Sequence, residues 1–129
     1  MPVLAGITDT SYTEAIRMAE YCAACELDGL VLSAPYYFPI DTCELGEYLE
    51  HLVPKLPLPV YLYNMPSHTK ALFTPELVRH FASLPNAAGL KDSSGDMIYF
   101  HQVRNLTLDL PGFSLLIGPE ELLAESRSF

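Results

Sequence analysis

Ala87-Ala88-Gly89-Leu90-Lys91-Asp92-Ser93-Ser94-Gly95-Asp96 is the stretch on which the fold turns. Four small or apolar residues run without interruption, and then the chain changes character at Lys91. Continuous apolar character, with no alternation, predicts a strand covered on both faces of a parallel sheet. The polar residues after Leu90 mark the end of that strand. Ser94-Gly95-Asp96 then signals a helix that runs to about Leu108 before Pro111-Gly112 turns the chain.

The same unit repeats on both sides of this stretch. Val3-Leu4-Ala5, Leu30-Val31-Leu32, Val60-Tyr61-Leu62 and Leu115-Leu116-Ile117 are further apolar runs, and with Ala88-Gly89-Leu90 their centres lie about 26 to 30 residues apart. Between them lie helical signals. Ala15, Met18, Ala19, Cys22 and Leu27 recur at helical spacing and predict a helix over 12–27, and a second helix is predicted over 43–54. Thr74-Pro75-Glu76-Leu77 places a capping hydroxyl before a proline at the first helical position, so a third starts there and runs to about Ser83. A final helix is predicted from Pro119. Strand and helix thus alternate about four and a half times, the pattern of an all-parallel α/β fold. A five-stranded doubly wound sheet would be complete at this length, whereas a (βα)8 barrel needs about 250 residues. Periodicity does not choose between them.

Composition narrows the function classes. The 129 residues carry 16 acidic against 7 basic side chains, a formal net charge of -9, with no run of Lys or Arg, so nucleic acid is not an expected partner. No apolar stretch approaches the roughly 20 residues that span a bilayer, and the N-terminus lacks a basic-then-apolar layout, so no membrane partner and a cytoplasmic location are expected. Cys22, Cys25 and Cys43 make an odd count and are read as reduced thiols. Cys22-Ala-Ala-Cys25 has redox or zinc spacing but falls inside a helical pattern. His51, His68, His80 and His101 are scattered, no glycine pattern forms a phosphate loop, and neither a metal nor a cofactor is expected.

Both architectures gather ligands at the C-terminal strand ends, so the residues there are the candidate site. They are Gly6 and Thr8; Ser33, Pro35, Tyr36 and Tyr37; Tyr63 and Asn64; Lys91, Ser93 and Ser94; and Gly118, Glu120 and Glu121. A lysine ammonium pointing into an apolar strand end is desolvated, which lowers its pKa and makes a nucleophilic amine able to condense with a ketone. The competing reading is a lysine that snorkels to solvent or pairs with Asp92. Tyr63 is either a proton shuttle or a lining aromatic, and Tyr36-Tyr37 suits a subunit interface.

Three motifs, Ala34-Pro35-Tyr36-Tyr37-Phe38-Pro39, Leu62-Tyr63-Asn64-Met65-Pro66 and Gly89-Leu90-Lys91-Asp92-Ser93-Ser94-Gly95-Asp96, are similar in order and spacing to those of the dihydrodipicolinate synthase and N-acetylneuraminate lyase superfamily of Schiff-base aldolases. Pro2-Val3-Leu4-Ala5-Gly6 resembles that family's third barrel strand, and Ile117-Gly118-Pro119-Glu120-Glu121 the end of its seventh. The resemblance covers the whole chain and implies part of a (βα)8 barrel. It implies that Lys91 forms a Schiff base with pyruvate or another 2-oxo acid, that Tyr63 shuttles protons beside it, and that Tyr37 supports Tyr63. In the family the second tyrosine of the Pro-Tyr-Tyr motif enters a neighbouring subunit's site, which implies a homo-oligomer. Gly118 would line the 2-oxo acid pocket.

Two departures from the family pattern matter. Synthases carry an arginine shortly after the Tyr-Asn-x-Pro motif to bind the aldehyde partner's carboxylate, and here that position is His68, a weaker and pH-dependent partner. Ser93, Glu120 and Glu121 match positions that contact hydroxyls in the sugar-acid lyases, and carboxylates accept hydrogen bonds from polyols. The expectation is a lyase cleaving a 2-oxo-3-deoxy sugar acid, with dihydrodipicolinate synthase as the alternative and a non-catalytic, flavodoxin-like α/β module as a third reading. The family's glycine- and threonine-rich carboxylate-binding motif and its eighth strand have no counterpart here. Residues 1–129 therefore read as one partial barrel domain, a piece of a longer enzyme and inactive alone.

Overall fold

A computed structural model describes residues 1–128. Its elements are β1 (Leu4–Gly6), α1 (Tyr12–Ala24), β2 (Gly29–Leu32), α2 (Thr42–Leu52), β3 (Val60–Asn64), α3 (Pro66–Thr69), α4 (Pro75–Phe81), β4 (Ala87–Asp92), α5 (Met97–Thr107), β5 (Ser114–Ile117) and α6 (Leu123–Ser126), with single 3₁₀ turns at Val53–Lys55 and Glu120–Leu122. The five strands form one parallel sheet in the order β1-β2-β3-β4-β5. That order decides the architecture. A doubly wound sheet reverses direction at a switch point, and this one never does, so the sheet is laid out as an arc of a barrel.

Local chemistry starts the helices where the sequence says they start. Ser11, Asp41, Thr74 and Asp96 cap α1, α2, α4 and α5, each accepting a hydrogen bond from a backbone N–H of the first turn, and Asp41 with Glu44 forms a reciprocal capping box. Gly95 sits at φ +77° just before the α5 cap, a left-handed conformation that suits glycine. The helix over 12–27 stops at Ala24, and Pro66–Thr69 adds a turn of helix that four residues are too few to announce by periodicity.

The core lies between the sheet and its helices. Leu30, Leu32, Val60, Leu62 and Leu90 are fully buried with Ala15 and Ala19 of α1, Leu45, Leu49 and Leu52 of α2, Val78 and Phe81 of α4 and Val103 of α5. Helices α2, α4 and α5 pack side by side. The expectation of strands buried on both faces needs correction. In β3, Val60, Leu62 and Asn64 are buried while Tyr61 and Tyr63 are half-buried; Leu90 and Asp92 of β4 are buried while Lys91 is half-buried. Successive strand residues point to opposite faces. Among the described residues only the helix side of this sheet is sealed, and the other side carries Val31, Tyr61, Tyr63, Lys91 and Leu116.

Candidate active site

Lys91 and Tyr63 are paired in register across β3 and β4, and Leu116 of β5 is Lys91's partner on the other side. Equal register and alternation put all three on the face away from the helices. The Lys91 Nζ lies over the Tyr63 ring, 4.8 Å from its centroid. A cation held against the negative face of an aromatic ring is attracted to it, so the ring steadies the end of a long flexible side chain. The Tyr63 hydroxyl donates to Met65 Sδ at 3.0 Å, and its carbonyl accepts from Ser33 Oγ at 2.8 Å. Ser33 is tied in turn to the loop that leaves β1, its N–H donating to Thr8 Oγ1 at 2.8 Å. Three consecutive strand ends are thereby linked on one side of Tyr63.

Asp92 does not pair with Lys91. As the next residue of the strand it points to the helix side, where it is fully buried. Its Oδ1 accepts from Asn64 Nδ2 at 2.9 Å and from the Ser94 N–H at 3.1 Å, and its Oδ2 accepts from Ser94 Oγ at 2.9 Å. Asn64, also fully buried, accepts from the Phe73 N–H at 3.4 Å. The Tyr99 hydroxyl donates to the Phe73 carbonyl at 2.7 Å. Burial first, and then the Asp92 charge, hold the Tyr99 phenol well above the usual tyrosine range. Sequence reading placed Asn64 among the strand-end residues and weighed Asp92 as a partner for Lys91, but gave neither a role in the core. The signal was present: each follows a candidate catalytic residue by one position, so each must point the other way.

The other candidates divide by position. Gly118 packs onto β4: its N–H donates to the Asp92 carbonyl at 2.6 Å, and a Cβ there would overlap Ser93. Ser93 and Gly118 therefore join the strand-end cluster beside Lys91. Glu120 and Glu121 are exposed in the 3₁₀ turn after β5. His68 is exposed on α3, with Nδ1 2.9 Å from Ser67 Oγ. Tyr37 is 74% exposed in the loop after β2, its ring edge-on to Phe38 with centroids 4.8 Å apart. Among the described residues no hydrogen bond or ring contact links Tyr37 to Tyr63. A groove of about 490 Å³ lined by Phe100, Arg104, Phe113, Leu115, Leu116 and Leu123 lies between α5, β5 and α6, and Lys91 does not line it.

Among the described residues no three His, Cys, Asp or Glu side chains converge as metal ligands, and no helix is long and apolar enough to cross a membrane. Cys22 is buried in α1, and Cys25 and Cys43 are exposed; all three are free thiols.

A family model described as the dihydrodipicolinate synthetase family matches residues 1–128. The chain belongs to that family. Its sheet is part of the family's (βα)8 barrel. Against the dihydrodipicolinate synthase structure from Bacteroides thetaiotaomicron it is 47% identical with a TM-score of 0.90, covering 98% of this chain and 42% of that one. A prophage protein of the dihydrodipicolinic acid synthase family from Escherichia coli K12, in complex with pyruvate, is 30% identical at a TM-score of 0.90, covering 98% of this chain and 43% of that one. A 2-keto 3-deoxygluconate aldolase from Picrophilus torridus is 26% identical at 0.89, covering 97% and 45%. The chain spans about 40% of the length of the curated relatives it matches. Lyases that include both synthases and keto-deoxy-sugar aldolases are thus its kin.

Proposed function

We propose that this arc carries the nucleophile of a Schiff-base lyase that cleaves a 2-oxo-3-deoxy sugar acid into pyruvate and an aldehyde. The observation that carries it is the Lys91 amine held over the Tyr63 ring at paired positions near the C-terminal ends of two adjacent parallel strands. Nζ attacks the 2-oxo carbon, and Tyr63 gives its proton to the departing hydroxyl, so that water leaves and an iminium and a Tyr63 phenolate remain. The C3–C4 bond then breaks, its electron pair moves into the iminium to give an enamine, and the C4 hydroxyl proton passes to Tyr63 as the aldehyde departs. Protonation of C3 and hydrolysis release pyruvate and free the lysine. Gly118 and Ser93 would form the floor beside the 2-oxo acid. His68, Glu120 and Glu121, on short turns beyond the strand ends, would meet the rest of the substrate.

A relative in complex with pyruvate and a 2-keto 3-deoxygluconate aldolase support this reading. A second reading, dihydrodipicolinate synthase, is favoured by the 47% identity to one such enzyme. His68, in place of a bidentate arginine, weighs against it. A homo-oligomer belongs to the same proposal, because Tyr36, Tyr37 and Phe38 are 57%, 74% and 75% exposed side by side, a cluster that suits a subunit contact.

Borohydride reduction of the whole protein in the presence of pyruvate tests the chemistry. Mass spectrometry should place one reduced adduct on Lys91, and a folded protein left unlabelled there would sink the proposal. Product analysis then separates the two readings: release of pyruvate from 2-oxo-3-deoxy sugar acids supports the lyase, and consumption of pyruvate with an amino-aldehyde acid supports the synthase.

A further inference from the structure

Behind the reactive face, on the buried side of β3 and β4, the hydrogen bonds of Asp92 and Asn64 close into a circuit. The Tyr99 N–H donates to Asp96 Oδ1 at 3.0 Å, the Asp96 N–H to Ser94 Oγ at 3.1 Å, and Ser94 Oγ to Asp92 Oδ2 at 2.9 Å. Asn64 Nδ2 donates to Asp92 Oδ1 at 2.9 Å, Asn64 Oδ1 accepts from the Phe73 N–H at 3.4 Å, and the Phe73 carbonyl accepts from the Tyr99 hydroxyl at 2.7 Å. The path leaves Tyr99 and returns to it, passing through the ends of both strands, the segment before α4 and the first turn of α5.

Its position is informative. Asn64 and Asp92 are register partners, just as Tyr63 and Lys91 one residue earlier are. A buried carboxyl bonded to a buried amide is expensive to leave half-satisfied, so the pair tolerates little slippage between the strands. Any slip of β4 along β3 that broke the Asn64–Asp92 bond would carry the Lys91 amine off the Tyr63 ring. Core packing by Leu62 and Leu90 selects the buried face but is nondirectional, so the Asn64–Asp92 bond adds a directional restraint at the strand ends.

We propose that Asp92 is a positioning residue for the Lys91–Tyr63 pair, acting through Asn64 and Ser94 to hold the two strand ends level. The proposal rests on the Schiff-base reading above. Asp92 itself touches no substrate, and its effect is on proton transfer between Tyr63 and the Lys91 adduct.

Asp92→Asn keeps the shape but puts a donor against the donors of Asn64 or Ser94, which removes part of the circuit. The double variant N64D/D92N reverses donor and acceptor and restores the bond across the strands. In the whole protein, kcat of Asp92→Asn should fall about tenfold or more with KM within about twofold, since a displacement of about 1 Å in reacting groups costs up to about 100-fold. Borohydride labelling of Lys91 with pyruvate should persist, and N64D/D92N should recover most of the lost kcat. Labelling of the wild type at Lys91 is the control that isolates this proposal from the reading beneath it. If that labelling is absent, the Schiff-base reading fails; if it is present, Asp92 alone is on trial. A folded Asp92→Asn protein with wild-type kcat, or a double variant no faster than the single one, overturns the positioning role. Ser94→Ala, which deletes only the hydroxyl links, is held to the same kcat criterion if Asp92→Asn does not fold, and wild-type kcat there also overturns it.

Discussion

The same chemical change, glycine to alanine, should have opposite signs at two positions of this chain. Gly89 lies two residues before Lys91, paired in register with Tyr61 and with Ser114. A Cβ there would overlap the Ser114 carbonyl oxygen and approach Tyr61 Cδ1 and Cε1 at 2.8 and 2.9 Å. The ring can tilt, but a backbone carbonyl of the neighbouring strand moves only by opening the sheet. Overpacking of this kind costs about 1–3 kcal/mol, and the stiffer unfolded chain returns about 0.4–1 kcal/mol. The net expectation for Gly89→Ala is destabilisation by about 1–2 kcal/mol. Gly46, inside α2, would place its Cβ 3.5 Å from Leu77 Cδ1, an ordinary contact. Alanine is favoured over glycine in a helix interior by about 1 kcal/mol, so Gly46→Ala should stabilise by about 0.5–1 kcal/mol. Urea unfolding of both variants measures the difference, with similar slopes and midpoints shifted in opposite directions. If Gly89→Ala proves as stable as Gly46→Ala, the close approach of β5 and Tyr61 to Gly89 is not what shapes this strand.

Three further outcomes are open to measurement. Tyr63→Phe should lower kcat about 100-fold while borohydride labelling of Lys91 still goes to completion, because the ring that steadies the amine is retained and only the proton-transfer group is lost; unchanged kcat would remove Tyr63 from the chemistry. The Tyr48 phenol is pushed up to about 12, by burial first and then by Tyr12 and Asp9. The unfolded chain releases that proton near pH 10 and the folded one holds it to about 12, so this contribution to stability is complete below about pH 10 and is lost as pH rises toward 12. Since the Tyr48 hydroxyl is buried and, among the described residues, has no partner, Tyr48→Phe should match or exceed the wild type in melting temperature at pH 7 and lose less of it above pH 10. Asp96→Ala should cost about 1 kcal/mol in a denaturant titration, because its Oδ1 caps α5 by accepting from the Ile98 and Tyr99 N–H groups.

Much of the fold was legible because parallel strands advertise themselves. Val60-Tyr61-Leu62 and Ala88-Gly89-Leu90 locate β3 and β4, and Thr74 and Asp96 locate the helix starts. What apolar runs do not reveal is where a strand ends in polar residues. Asn64 and Asp92 extend β3 and β4 past the last aliphatic side chain because their polar groups satisfy each other in the core. Strand order was invisible to periodicity, since the spacing of strands along a chain says nothing of which edges meet, and only the family resemblance implied it. Lys91, Tyr63, Ser93 and Gly118 were found as strand-end residues, and the structure gathers them at the ends of β3, β4 and β5. Tyr37 was named both as a residue following the second strand and by its motif, and it stands 74% exposed in the loop after β2.

Alternation along β3 and β4 has a consequence for how such a protein can change over time. The amine and the phenol sit on one side of the strands, the Asn64–Asp92 circuit on the other, and the groups proposed to select a substrate, His68, Glu120 and Glu121, on short turns beyond the strand ends. Those turns can be rewritten without touching the Asn64–Asp92 bond or the register it holds. If the proposed lysine chemistry holds, a lineage built on this plan can exchange one aldehyde for another by replacing turn residues while that chemistry is inherited intact.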